Sequence, residues 1–159
     1  MKINKAYNYL IRINPFLFII IFLILAATIT VVFSYFMQGN IQTNDILNIK
    51  DKYLQFLLIV FIVPAIETLI FQFSIIELIC YIIKRPRNNI YLAAVFSAIA
   101  FSLSHSGTYT SIIYTFIIGL LLAFAYYISK NRKQNPILIT LSIHSFWNFL
   151  GLIYMWIID

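Results

Sequence analysis

The sequence predicts an all-α fold: a polytopic membrane helix bundle of about five transmembrane helices in one domain spanning residues 1–159. Three observations carry that prediction. Hydrophobic residues make up 62% of the chain and charged residues only 10%, a balance outside the range of soluble domains. Apolar runs of about 20 residues, the length that crosses a bilayer as a helix, recur between short polar breaks. These runs lack the ten-residue alternation of an outer-membrane barrel.

Each element follows from the local pattern. Residues 1–14 are basic and aromatic, with Lys2, Lys5 and Arg12 ahead of Pro15. The run 16–37 is too long for a signal-peptide core and has no small-residue cleavage site, so it reads as a retained first helix. A polar loop, 38–51, holds Gly39, Asn40, Asn44 and Asp45. The second helix, 53–83, is expected to break or kink at Pro64, which removes a backbone N–H and crowds the preceding turn. Lys84, Arg85, Pro86 and Arg87 end it. A third helix runs from about Ile90 to His105, the small polar stretch 102–108 with Gly107 turns the chain, and a fourth ends near Tyr127. Lys130, Arg132 and Lys133 form another basic break, Pro136 restarts the chain, and a fifth helix reaches Ile158. Gly119 on the fourth helix permits a close helix contact.

The charges give an independent check on this division. With the N-terminus in the cytoplasm, the N-terminal segment and the 84–87 and 130–133 breaks all fall on the cytoplasmic side, carrying nine of the 11 Lys and Arg residues. Only Lys50 and Lys52 remain outside, the distribution the positive-inside rule expects. The expected location is therefore the cell membrane, multi-pass, with the N-terminus inside and the C-terminus outside. The net charge of +6 lies in clusters beside apolar spans, which points to the lipid bilayer as partner and not to nucleic acid. A single cysteine, Cys80, excludes an intrachain disulfide and a cysteine-based metal cluster.

A few polar residues lie deep in the spans. Glu67 sits mid-helix in an apolar run, where a carboxylate is costly and marks function by default. Pro64, three residues earlier, frees a backbone carbonyl of the kind found where helices open around cavities. Glu77 lies close to the basic end, seven residues before Lys84, and reads as an interfacial ion pair. His105 closes a group of hydroxyl residues, Ser102, Ser104, Ser106 and Thr108, suited to solvating a polar pocket; a histidine satisfying a backbone carbonyl is the competing account. His144 and Asn148 stand four apart on one helix face, where both can address one atom, although an asparagine also serves as a helix-packing amide. Helix lengths suggest a site shared by these groups that opens toward the cytoplasm.

A base, two imidazoles and an amide suit amide hydrolysis, which needs a base for water and donors for the developing oxyanion. Glu67 is the candidate base. His105, His144 and Asn148 either donate to the oxyanion, or the histidines join Glu67 in binding a divalent metal such as zinc; the residue types are competent for both.

The three patterns together resemble the CPBP family of intramembrane proteases, which includes CAAX prenyl endopeptidases and bacterial proteins linked to bacteriocin processing and self-immunity. That family has a Glu-Glu-x-x-x-Arg helix, then Phe-x-x-x-His, then His-x-x-x-Asn or Asp. Here they appear as Glu67 to Gln72, Phe101 to His105 and His144 to Asn148, within a protease-like core of about 60–152. The resemblance implies that Glu67 activates water while His105, His144 and Asn148 support the oxyanion or a metal. Thr68 stands at the second glutamate and Gln72 at the arginine.

The expected function is thus an intramembrane endopeptidase acting on a peptide or small membrane protein near the cytoplasmic interface. The alternative is a proteolytically inactive relative that acts by binding, as a bacteriocin self-immunity or regulatory membrane protein. A proton- or ion-coupled transporter ranks third, since the usual transporter architecture has an internal repeat that this chain lacks.

Overall fold

A computed structural model describes residues 5–35, 49–83, 89–105 and 107–158. Most of the expected loop 38–51, the basic break 84–87 and Ser106 lie outside the described residues. Six helices are present among the described residues: α1 (Lys5–Arg12), α2 (Pro15–Ser34), α3 (Lys52–Ile82), α4 (Asn89–Leu103), α5 (Tyr109–Asn131) and α6 (Pro136–Ile158). The all-α bundle is as expected. Of its apolar helices, α2, α3, α5 and α6 are long enough to cross a membrane, whereas the apolar part of α4 is shorter. At about 1.5 Å per residue α4 measures roughly 22 Å, short of a hydrocarbon core of about 30 Å.

Four helix starts are closed by polar side chains, as N-terminal N–H groups without helical partners require. The Asn14 amide oxygen accepts from Phe16 N at 2.8 Å, with Pro15 at the first helical position of α2. Asp51 accepts from Tyr53 N and Leu54 N at 2.9 and 3.2 Å. Thr108 caps α5 through Ser111 N at 3.3 Å, and Asn135 caps α6 through Ile137 N and Leu138 N at 3.1 and 3.2 Å.

The end of α5 corrects the expected stop near Tyr127. It continues to Asn131 and closes with Lys133 in the left-handed region, φ 57°. Gln134 N bonds Ser129 O and Lys133 N bonds Lys130 O, both at 3.2 Å, the paired bonds of a Schellman ending. Arg132 then turns back across the bundle. Its Nη1 donates to Leu10 O at 2.9 Å and its Nη2 to Ile13 O, capping the open carbonyls at the end of α1. The guanidinium also lies 4.8 Å from the Phe18 ring centroid. This tie holds a short helix that the apolar pattern did not reveal.

The centre of the bundle is α5, half of whose span is buried, and it touches α1, α2, α4, α6 and the middle of α3. In a bilayer, lipid tails remove most of the hydrophobic incentive for helices to meet, so close packing of small residues takes over. Ala94 and Ala98 on α4 face Gly119 and Ala123 on α5, each pair one turn apart, and α4 and α5 make the most extensive contact in the bundle. A Cβ at Gly119 would lie 3.0 Å from Phe101 Cδ1 and 3.1 Å from the Ala98 Cα. The larger core, Phe18, Phe22, Ala26, Phe101, Ile118, Leu122, Ala125, Ile128 and Ile143, joins α2, α4, α5 and α6.

Pro64 does not break α3. Instead the helix alternates between windings: π-helix over Leu58–Ile62, α-helix over Val63–Glu67 and π-helix again over Thr68–Ile75. Wider π turns absorb the proline, and the short α stretch between them ends on Glu67. The segment Thr68–Ile75 packs against both α4 and α6, which brings the helices with the two histidines to the one with the glutamate.

Because Gly119 sets the approach of α4 to α5 and touches Phe101, Gly119→Leu is expected to destabilise the protein by about 1–3 kcal/mol. The check is a thermal unfolding midpoint in detergent or nanodiscs compared with wild type.

Candidate active site

Glu67, His105 and His144 converge. His105 Nε2 lies 3.7 Å from Glu67 Oε1, and His144 Nε2 lies 3.4 Å from Glu67 Oε2. The glutamate is therefore flanked, one imidazole to each oxygen. Both separations are longer than a direct hydrogen bond. The His144 side chain is 4% exposed, Glu67 17% and His105 27%, so access comes from the His105 side.

The second nitrogen of each ring sets its chemistry. His105 Nδ1 donates to Phe101 O at 2.8 Å, with Ser104 Oγ 3.3 Å away. That bond meets the competing account of this histidine, yet it also commits the proton to Nδ1 and turns a bare Nε2 toward Glu67. His144 Nδ1 lies 3.5 Å from the buried Thr68 hydroxyl. Phe101 lies tilted against His105 and edge-on to His144, with centroids 4.6 and 5.8 Å away, and packs edge-on against Phe71 at 5.6 Å. An aromatic wedge from α4 thus fixes both imidazoles.

Other expected residues make bonds of their own. Asn148 shares its helix face with His144, but its Nδ2 donates to Ile59 O at 3.1 Å, a helix-packing bond. The described hydroxyl residues of the 102–108 stretch bond mainly to nearby backbone, with only Ser104 also beside a site histidine. Ser102 donates to Ile99 O, Ser104 to Phe101 O, and Thr108 caps α5. Glu77 forms the expected ion pair with a different partner: Lys130 of α5 at 2.6 Å, with Tyr126 donating to the same carboxylate at 2.8 Å.

Gln72, one turn beyond Thr68, is fully buried and neither of its amide atoms has a hydrogen-bond partner among the described residues. A position that holds a cation in the resembled family here holds a neutral amide.

Two imidazoles and a carboxylate are donor types that zinc accepts. The histidines nevertheless address different oxygens of Glu67, and among the described residues no three His, Cys, Asp or Glu side chains are grouped to hold a metal ion. As they stand, Glu67, His105 and His144 do not form a group that holds a metal ion.

The sequence model of Rce1-like type II CAAX prenyl endopeptidases matches residues 49–150. The chain belongs to this family. No curated protein and no solved structure matches it. The matched stretch of this Rce1-like chain runs from just before α3 to Leu150 in α6 and contains all four expected site residues. The sequence alone does not reveal the Thr68 contact to His144, for which the departure from the family's glutamate is the signal, or the bond to the Ile59 carbonyl, for which the signal is Pro64.

The depth of the site differs from expectation. The Glu77 to Lys130 pair marks the basic end of the bundle, and Glu67 lies ten helical residues, about 15 Å, away from it. His105 follows the end of α4 that is remote from that pair, beside the exposed residues Ser104, Gly107, Thr108 and Tyr109. The exposed edge of the site thus lies at the end of the bundle remote from that pair, where α4 stops at Leu103 instead of continuing past the site. In a Cys80→Ala background, cysteines placed at Tyr109 and at Lys133 are expected to react with a membrane-impermeant maleimide from opposite faces. Labelling of both from one face would contradict this placement.

Proposed function

We propose that this protein is an intramembrane endopeptidase that hydrolyses a peptide bond of a peptide or small membrane protein, with Glu67 activating the water. The observation that supports this best is the pair of imidazoles set on either side of a carboxylate in a bundle otherwise built of apolar helices. Glu67 accepts a proton from the attacking water. His144, with Thr68 donating to its Nδ1, keeps a proton on Nε2 and donates it as a hydrogen bond to the oxyanion that develops on the scissile carbonyl. His105, its Nδ1 proton held by Phe101 O, offers a bare Nε2 that receives a proton from Glu67 and delivers it to the leaving amine. The protein lies in the cell membrane with the N-terminus in the cytoplasm, a reading supported by the nine-to-two division of the 11 Lys and Arg residues.

A second reading is favoured by Thr68 and Gln72. With the family's second carboxylate and its arginine both replaced, the chain acts by binding, as a self-immunity or regulatory membrane protein, without cleaving anything. One substitution separates the two. For the protease, Glu67→Gln lowers kcat by roughly 10²–10⁴-fold with KM little changed. For the binder, the same substitution leaves a protective phenotype in cells intact.

The proposed chemistry also runs without a metal. Cleavage by purified protein is expected to be unchanged after incubation with EDTA or 1,10-phenanthroline; loss of activity restored by zinc would contradict it.

A further inference from the structure

Gln72, Ser97 and Thr140 come from three different helices, are wholly buried, and carry side-chain polar atoms with no hydrogen-bond partner among the described residues. The helical register brings them to one layer. On α3, Gln72 lies between Thr68, which meets His144, and Ile76, which belongs to an apolar cluster nearer the basic end. On α4, Ser97 lies between Phe101, which packs edge-on to His144, and Ala93 of the same cluster. On α6, Thr140 lies between His144 and Ile137, which packs against that cluster. Each interval is about one turn, so all three residues stand one turn below the site. The segment of α3 that carries Gln72 touches both α4 and α6.

The two hydroxyls are unusual for helical serine and threonine, which tend to settle on a carbonyl of their own helix. Ser102, Thr115 and Ser142 do so at 3.0, 3.0 and 2.8 Å. The Ser97 and Thr140 hydroxyls do not. To these the Gln72 amide adds two N–H donors and a carbonyl acceptor. Polar groups left dry inside a membrane bundle are costly, and a small set of them gathered from several helices is the setting in which proteins hold internal water.

We propose that Gln72, Ser97 and Thr140 form a binding site for internal water, one turn beneath Thr68 and His144. Water suits this set because it both donates and accepts: it donates to the Gln72 carbonyl oxygen or a hydroxyl oxygen and accepts from the Gln72 N–H groups or a hydroxyl. No ion is called for, since all three side chains are neutral. Ile76, Ala93, Ala94, Ala123 and Tyr126 close the layer on the basic side, so the water is internal and not part of a path across the bundle. Bound there, it keeps the floor of the site polar without placing a charge beneath Glu67. The inference concerns how the bundle satisfies its buried polar groups and does not rest on the protease reading.

The test is proton-detected solid-state NMR on the full-length protein in lipid bilayers, with glutamine side chains labelled with nitrogen-15. The amide signal that disappears in Gln72→Met belongs to Gln72. Its N–H protons are expected to show cross-peaks to water, although the residue is shut off from bulk solvent. In the double variant Ser97→Ala, Thr140→Val, which leaves Gln72 in place, those cross-peaks are expected to vanish. Their absence from wild type would overturn the proposal, since the three groups would then be dry or bonded to one another. Cross-peaks of unchanged strength in the double variant would overturn it as well, because Ser97 and Thr140 would not be holding the water. If the double variant does not fold, Thr140→Val alone, nearly the same in shape, takes its place and is expected to weaken the cross-peaks. Stability gives a second readout. Gln72→Met removes one partner of the water and is expected to weaken folding roughly two- to tenfold. A folding equilibrium unchanged or strengthened by Gln72→Met would mean that a dry amide had been removed, and would contradict the proposal.

Discussion

A carboxylate in the middle of a 31-residue apolar helix is the constraint on which this structure turns. Glu67 has no basic residue within a turn or two along α3, so compensation has to come from other helices. The imidazoles of His105 and His144 arrive from α4 and α6, and the segment Thr68–Ile75 packs against both of those helices. Without that convergence a charged Glu67 has no support in lipid, and the three motifs have no common point.

The surrounding architecture places and steadies this point. Small residues at Ala94, Ala98, Gly119 and Ala123 let α4 approach α5, which seats Phe101 against both imidazoles. On α3, alternating π and α windings carry the chain through Pro64 without a break, and α6 answers the carbonyl left open there. The short α4 ends at the level of the glutamate, so His105 sits in a turn instead of within a helix. That ending gives a buried site an exposed edge.

Much of this was legible in the sequence because its signals are periodic. Apolar runs separated by basic breaks mark helices, and a four-residue spacing puts Phe101 with His105, and His144 with Asn148, on shared faces. The family resemblance drawn from those spacings agrees with the match over residues 49–150. What was not legible depends on contacts between distant residues. The ion pair of Glu77 with Lys130 spans two helices, and α1 is held by Arg132 from the far side of the chain. Hydroxyls of Ser102 and Ser104 turn to nearby carbonyls, a choice that composition does not reveal. The π winding of α3 was equally hidden. A proline in a helix announces an unpaired carbonyl, but whether the chain kinks or widens depends on which neighbour supplies the donor.

The most direct measurement of the central claim is the separation of the Glu67 carboxyl from the two imidazoles, by solid-state NMR on protein with labelled glutamate and histidine in bilayers. Strong carbon–nitrogen couplings from Glu67 to both His105 and His144 are predicted, in keeping with oxygen–nitrogen separations of 3.7 and 3.4 Å. Absence of coupling to either histidine would mean that three motifs on three helices do not form one site, and the hydrolytic reading would fall with them.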